Sequence, residues 1–259
     1  MRLVLAALLA TIALAADKPP LAPEVNEFLA WYDAYTGPIN PIEVLKSYQA
    51  KLAGDGVTAA DSKRRVDAIQ AAIQKMPVEF TAIHFNKIYG MPNPPFKQEP
   101  SQFLTRIASD LKPGTALDVA MGQGRNALYL AAKGWKVTGY DISPRGMQLA
   151  QEAARKANLE LAIVKATHDE FDYGTGKWDL IVETYAFTNL SDPAYRKRLI
   201  DSLKPGGVLL IEGFGGGGEK NLMIEGFKDL RVIYYEDRTD VADWSMQKAR
   251  LTRIAVQKD

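Results

Sequence analysis

The 259-residue chain contains no cysteine. That excludes disulfide staples, cysteine-ligated zinc, iron–sulfur clusters, thiolate nucleophiles and a lipid-modified N-terminal cysteine. Only two histidines occur, His84 and His168. A charge excess is missing too: 32 basic against 31 acidic side chains leave a net charge of +1. Such a balance gives no electrostatic reason to bind nucleic acid or an anionic membrane. The short basic runs Lys63-Arg64-Arg65 and Arg196-Lys197-Arg198 read as solvated helix faces. The uncharged apolar stretch from Leu3 to Ala16 falls short of the roughly twenty residues of a membrane span.

What that stretch does resemble is an export signal. Arg2 precedes it, Ala13-Leu14-Ala15 supplies small-x-small cleavage chemistry, and Asp17-Lys18-Pro19-Pro20 breaks any helix. Residues 1–15 are therefore expected to be a signal peptide, and the mature protein to be periplasmic or secreted with no stable membrane span. Cytoplasmic retention is the alternative. Removing the segment takes away one positive charge and leaves the chain neutral.

With 47% apolar residues, the remainder can bury a full core as one large domain with an extension. From Pro23 to about Gly90 the apolar spacing is helical. Val44, Leu45, Tyr48 and Leu52 share one helix face. Thr58-Ala-Ala-Asp61 resembles a capping box ahead of the stripe Val66, Ile69 and Ile73. Another helix is expected from Val78 to Tyr89, and Gly90–Pro95 reads as a loop. Residues 16–100 thus form a helical extension, expected to lid the site, and residues 101–259 a second region.

In that second region strands alternate with helices: Ala116–Met121, Trp135–Tyr140, Leu161–Lys165, Trp178–Thr184 and Gly207–Gly213 are the strands. The alternation implies a mostly parallel sheet covered on both faces. Arg231–Asp237 and Ala249–Gln257 should pair antiparallel at one edge. Phe214-Gly-Gly-Gly-Gly218 reads as a connection rather than a phosphate cradle.

The informative segment is Leu117-Asp-Val-Ala-Met-Gly122-Gln-Gly124-Arg-Asn126. Glycines at 122 and 124 permit a sharp turn and close ligand approach at a helix N-terminus. Gly-x-Gly alone is weak, and with Ala127 it also fits a dinucleotide fold. Asp118 separates the two readings. A pyrophosphate has no use for a carboxylate there, whereas a sulfonium ligand with an α-amino group does. Asp141 ends the next strand, where its two oxygens can accept from both hydroxyls of a ribose.

Residues Leu117–Asp141, with Gly-Gln-Gly-Arg-Asn-Ala-Leu-Tyr-Leu and Gly134-Trp-Lys-Val-Thr-Gly-Tyr-Asp141, resemble class I S-adenosylmethionine-dependent methyltransferases. Among these the likeness is to the tellurite-resistance-type small-molecule enzymes, over roughly Phe103 to Val256. It implies a Rossmann-like, doubly wound, seven-stranded sheet with an antiparallel last strand, and S-adenosyl-L-methionine as cofactor. It also implies cofactor contacts from Asp118, Gly122, Gly124, Asn126, Asp141, Ile142, Thr167, His168 and Glu183. Two departures stand out: Met121 precedes the first glycine, and the adenine-facing slot falls on Thr167 with Asp169 two residues on. Tyr185, Tyr89, His84 and Arg125 are the candidates for the acceptor side. No catalytic residue is assigned, since a positioned nucleophile in a dry pocket needs no dedicated base. Asp169 and Glu170 are too few and scattered for a metal site.

The reading is methyl transfer to a small-molecule acceptor, without nucleic acid. The absent cysteines exclude the radical branch of S-adenosylmethionine enzymes. Its rivals are a non-catalytic nucleoside-binding protein of the same fold and an NAD(P)-dependent oxidoreductase.

Overall fold

The computed structural model describes residues 21–215 and 221–259. The expected signal peptide and most of the glycine run at 215–218 lie outside the described residues. The chain divides into two compact units, residues 1–80 and 81–259.

Helices α1 (Pro23–Ala34), α2 (Pro41–Gly54) and α3 (Ala59–Lys75) build the first unit, and α4 (Pro77–Gly90) begins within it. Proline at the first position starts α1 and α2, where a missing N–H costs nothing. Val25, Phe28, Tyr32, Val44, Tyr48, Leu52 and Ile69 form the core, with Phe28 edge-on to Tyr48 at 5.2 Å. Only half of the expected capping box forms. Thr58 accepts from the Asp61 N–H at 3.2 Å, but Asp61 turns outward to Arg64 and Arg65. An aspartate is one methylene too short to reach back while two guanidiniums compete for it. The run Lys63-Arg64-Arg65 does more than face water: Arg64 reaches Glu24 and Arg65 reaches Glu27, tying α3 to α1.

The second unit holds α5 (Gln102–Ala108), β1 (Thr115–Val119), α6 (Arg125–Ala132), β2 (Lys136–Asp141), α7 (Pro144–Ala157) and β3 (Ala162–Lys165). Then follow β4 (Trp178–Thr184), α8 (Pro193–Ser202), β5 (Leu203–Phe214), α9 (Leu222–Gly226), β6 (Arg231–Val241) and β7 (Lys248–Gln257). The seven strands lie in the order β3-β2-β1-β4-β5-β7-β6. Strands β1 to β5 pair in parallel, while β7 runs antiparallel to both β5 and β6. The chain's last strand is therefore reversed, as expected, and it is inserted between its two neighbours.

Alternation along each strand feeds two cores. Leu117, Val119, Ile181 and Ile211 face Tyr195 and Leu199 of α8. Ala116, Leu180, Val182 and Leu210 face Phe103 and Leu104 of α5 and Leu130 of α6. Strand β5 starts four residues earlier than Lys204-Pro-Gly-Gly207 suggests. Trp178 pairs with Leu203, and a register shift before Leu180 absorbs the turn-like residues.

Candidate cofactor and acceptor site

The turn from β1 into α6 carries three left-handed residues: Ala120 (φ 51°), Gly122 (φ 55°) and Gly124 (φ 79°). A Cβ on Gly122 would strike the Tyr89 hydroxyl, and one on Gly124 would come within 2.8 Å of the Ala150 Cβ. Both positions thus require glycine for space as well as for φ. Ala120 has no such freedom, and the left-handed region costs a residue with a Cβ about 1–2 kcal/mol. Ala120→Gly is therefore expected to stabilise the protein by up to about 1 kcal/mol in urea unfolding, net of the entropy glycine adds to the unfolded chain. A midpoint that stays put or falls would show the turn to be unstrained at this residue.

Two aspartates flank the turn. Asp118 is buried, and its Oδ2 accepts from the Ala127 N–H in the first turn of α6 at 3.0 Å. Burial pushes its carboxyl up to about 7, although that hydrogen bond and Arg125 pull the other way. An approaching cation would favour the charged form. Asp141 closes β2. Its Oδ2 accepts from the Gly122 N–H at 2.8 Å and its Oδ1 from the Ser143 N–H at 2.7 Å. One carboxylate thereby fixes the β1–α6 turn against the β2–α7 turn, with part-exposed Ile142 between. Burial raises its pKa, opposed by the N–H groups of Ser143, Gly122 and Ile142.

Tyr89 lies over this turn, its ring against Gly122 and Gly146. Burial and the nearby Asp141 raise its phenol well above the ordinary value. His84, one turn earlier on α4, packs edge-on to Phe85 at 5.7 Å, and burial lowers its pKa. Asn126 and Arg125 are both engaged with protein groups. Asn126 accepts from the Ser101 N–H and donates to the Thr184 hydroxyl, while Arg125 donates to Asp243 at 3.0 Å and to the Glu99 carbonyl.

Beyond β4 lies a chain of hydrogen-bonding side chains that no local motif announces. Glu183 is buried, held by the hydroxyls of Thr188 and, at 3.0 Å, Tyr195. Tyr195 meets Tyr173 at 3.4 Å, Tyr173 meets Tyr140 at 2.5 Å, and Tyr140 meets His168 Nδ1 at 2.8 Å. The other ring nitrogen of His168 lies 3.2 Å from the Ala186 carbonyl. His168 therefore ties the loop after β3 to the loop after β4, and burial lowers its pKa. Burial pushes Glu183 up to about 7. Thr167 is part of a turn with Glu170, each accepting from the other's N–H, and Asp169 reaches out to Arg198. Tyr185 follows with a left-handed φ of 53°.

Sequence reasoning passed over Ser101 and Glu212. The Ser101 hydroxyl donates to Glu212 at 2.6 Å, and Glu212 also receives Arg253 at 2.8 Å. The available signal was a rhythm: β4 and β5 both run apolar residues up to a glutamate near the strand's end, Glu183 and Glu212.

The glycine cradle, the Asp141 carboxylate at a strand end and buried Asp118 suit a nucleoside ligand carrying positive charge. Comparison with known proteins agrees. Residues 116–207 match a family model described as a methyltransferase domain. A probable S-adenosyl-L-methionine-dependent methyltransferase, TehB of Haemophilus influenzae, is 31% identical over 111 residues, 40% of this chain and 37% of that protein. Ribosomal RNA small subunit methyltransferase C of Alcanivorax borkumensis is 32% identical over 106 residues, 39% of this chain and 32% of that one. The chain thus spans well under half the length of these relatives. The crystal structure of Haemophilus influenzae TehB superposes with a TM-score of 0.54 at 22% identity, over 69% of this chain and 67% of that one, a likeness of fold. The second unit therefore contains a match to a methyltransferase domain over residues 116–207, and it resembles TehB in part of its sequence and in fold.

Proposed function

We propose that the chain uses this methyltransferase domain to transfer a methyl group from S-adenosylmethionine to a small-molecule acceptor. The observation that carries the reading is the turn with left-handed residues 120, 122 and 124, pinned by Asp141. When bound, S-adenosylmethionine supplies an electrophilic methyl carbon on a positively charged sulfur.

The residues present divide the work. A carboxylate has about four acceptor positions. Asp141 accepts from Gly122 and Ser143 and keeps acceptor capacity for ribose hydroxyls. Asp118 offers a buried anion to a cationic ligand. Tyr89 covers the glycine turn and excludes water from it. Glu183, through Thr188 and Tyr195, positions the loop that follows β4. Catalysis is then a matter of bringing the acceptor's lone pair in line in a dry pocket.

Acceptor size is the finer part of the proposal. A net charge of +1 supports a small molecule over a polyanion, although the relatives include an enzyme of ribosomal RNA. Export by residues 1–15 belongs to the same proposal, and it places an enzyme with a cytosolically made cofactor outside the cytosol. That tension supports the second reading, a non-catalytic binding protein of this fold.

Equilibrium titration with S-adenosylhomocysteine and NADH tests the cofactor. We expect S-adenosylhomocysteine to bind and NADH not to; the reverse preference would overturn the reading. Methyl transfer to an acceptor panel then separates enzyme from binder.

A further inference from the structure

Six aromatic side chains from five separate segments meet at the carboxyl ends of the parallel strands. Tyr89 from α4, which covers Gly122, lies 5.5 Å from Phe96 in the connection to α5. Phe96 stacks on Trp244, in the β6–β7 turn, at 4.2 Å and 15°. Trp244 stacks on Tyr185 at 5.5 Å and 15° and meets Phe187 at 6.0 Å. Tyr185 continues to Phe214, the last residue of β5, at 5.3 Å. The wall starts at the glycine turn and passes across the ends of β4, β5 and β6, the rim where open α/β sheets bind ligands.

Three observations make this wall more than core packing. Phe187 is 64% exposed and Phe214 43% exposed, although core aromatics bury such rings. Tyr185 and Phe187 are both left-handed, at φ 53° and 55°. Bulky side chains take that conformation only where surrounding structure enforces it, and such positions cluster at ligand sites. Finally, the Tyr185 hydroxyl is buried near Glu212, Asp243 and Arg253 without a well-formed hydrogen bond among the described residues.

Charge narrows the ligand further. Buried Arg125 and half-buried Arg253 are both matched, Arg125 with Asp243 and Arg253 with Glu212, Glu236 and Asp240. Asp118 and Asp141 place two buried carboxyl groups at the same rim. An anionic acceptor would meet carboxyl groups here and no unmatched buried cation among the described residues.

Resting on the methyltransferase reading, we infer that the acceptor is an uncharged planar aromatic compound, packed on the exposed ring of Phe187 at the edge of Trp244, with its nucleophilic substituent directed toward the glycine turn. Flat rings gain from offset or edge contacts that a saturated ring of equal size does not make.

The test is calorimetric titration of the full chain, first with S-adenosylhomocysteine and then, in its presence, with three probes. These are 2-naphthol, its saturated counterpart decahydro-2-naphthol, and the anionic 3-hydroxy-2-naphthoate. We expect 2-naphthol to bind about tenfold more tightly than the saturated alcohol, as one or two aromatic contacts would give, and the naphthoate more weakly than 2-naphthol. Phe187→Ala changes an exposed side chain and should erase most of the aromatic preference, with S-adenosylhomocysteine affinity reporting an intact cofactor side. If S-adenosylhomocysteine binds but 2-naphthol shows no advantage over decahydro-2-naphthol, the aromatic assignment is overturned and the methyltransferase reading stands. The aromatic assignment fails equally if Phe187→Ala leaves the advantage unchanged. If S-adenosylhomocysteine itself does not bind, the underlying reading has failed and the acceptor assignment with it.

Discussion

Asp141→Ala is expected to weaken S-adenosylhomocysteine binding by two to four orders of magnitude. That range comes from two charge-assisted hydrogen bonds to ribose hydroxyls, at about 1.5–3 kcal/mol each. The loss is sharpened because Asp141 is already held in place: Gly122 and Ser143 N–H groups fix both oxygens before any ligand arrives. Binding therefore bears little cost for orienting the carboxylate. The same contacts mean that the alanine variant leaves two backbone N–H groups without their acceptor and loosens the turn. Asp141→Asn is the control, since its amide oxygen can keep one of those contacts while the charge is lost. We expect Asn to fall between Ala and the natural residue. Titration of the three proteins decides the matter, and an alanine variant that binds within threefold of the parent would remove Asp141 from the cofactor site.

The second large effect concerns stability and pH at Glu183. Burial raises its carboxyl from the ordinary 4.5 to about 7, so the folded state holds this proton more tightly than the unfolded chain does. Its contribution is fully present below about pH 4.5 and is lost as pH rises through 7. The span is about 3 kcal/mol, at 1.36 kcal/mol per unit. Asp118, raised from 3.8 to about 7, adds a loss of the same sign over the same window. In Glu183→Gln the amide oxygen still accepts from Thr188, and the amide nitrogen donates to Tyr195 in place of the contact Glu183 receives. The glutamine variant should therefore match the parent near pH 4.5 and exceed it by about 3 kcal/mol at pH 8. Urea unfolding across that range measures the difference directly. A difference between the two proteins that stays flat with pH would mean that Glu183 is ionised in the fold without penalty.

How much was legible follows from how local each feature is. The β1–α6 turn could be read because glycine writes its own backbone conformation into adjacent positions, and Gly122 and Gly124 sit where the chain bends. Asp141 was equally readable, since a carboxylate ending a strand seventeen residues past Gly124 points to one geometry. The start of β5 was hidden because Pro205-Gly206 has turn chemistry while tertiary pairing extends the strand through it. The chain from Glu183 to His168 joins residues from β2, β4, α8 and the β3–β4 loop. No spacing rule connects them, because their proximity is a product of sheet order. The aromatic wall is invisible for the same reason: Tyr89 and Trp244 are far apart in sequence and meet through Phe96. For Arg125 a ligand contact and a salt bridge were equally open, and its partner is Asp243, more than a hundred residues away.

The position of β7 has a consequence for how the molecule is made. Residues 248–257 fill the slot between β5 and β6, so the sheet cannot close in the order in which it is synthesised. Until those residues leave the ribosome, β5 presents an open edge of unmet backbone groups, and β6 has nothing to pair with. Nascent chains in that condition stay unfolded or engage chaperones. A late-closing sheet lengthens the interval in which the β5 edge can pair with a strand of another chain.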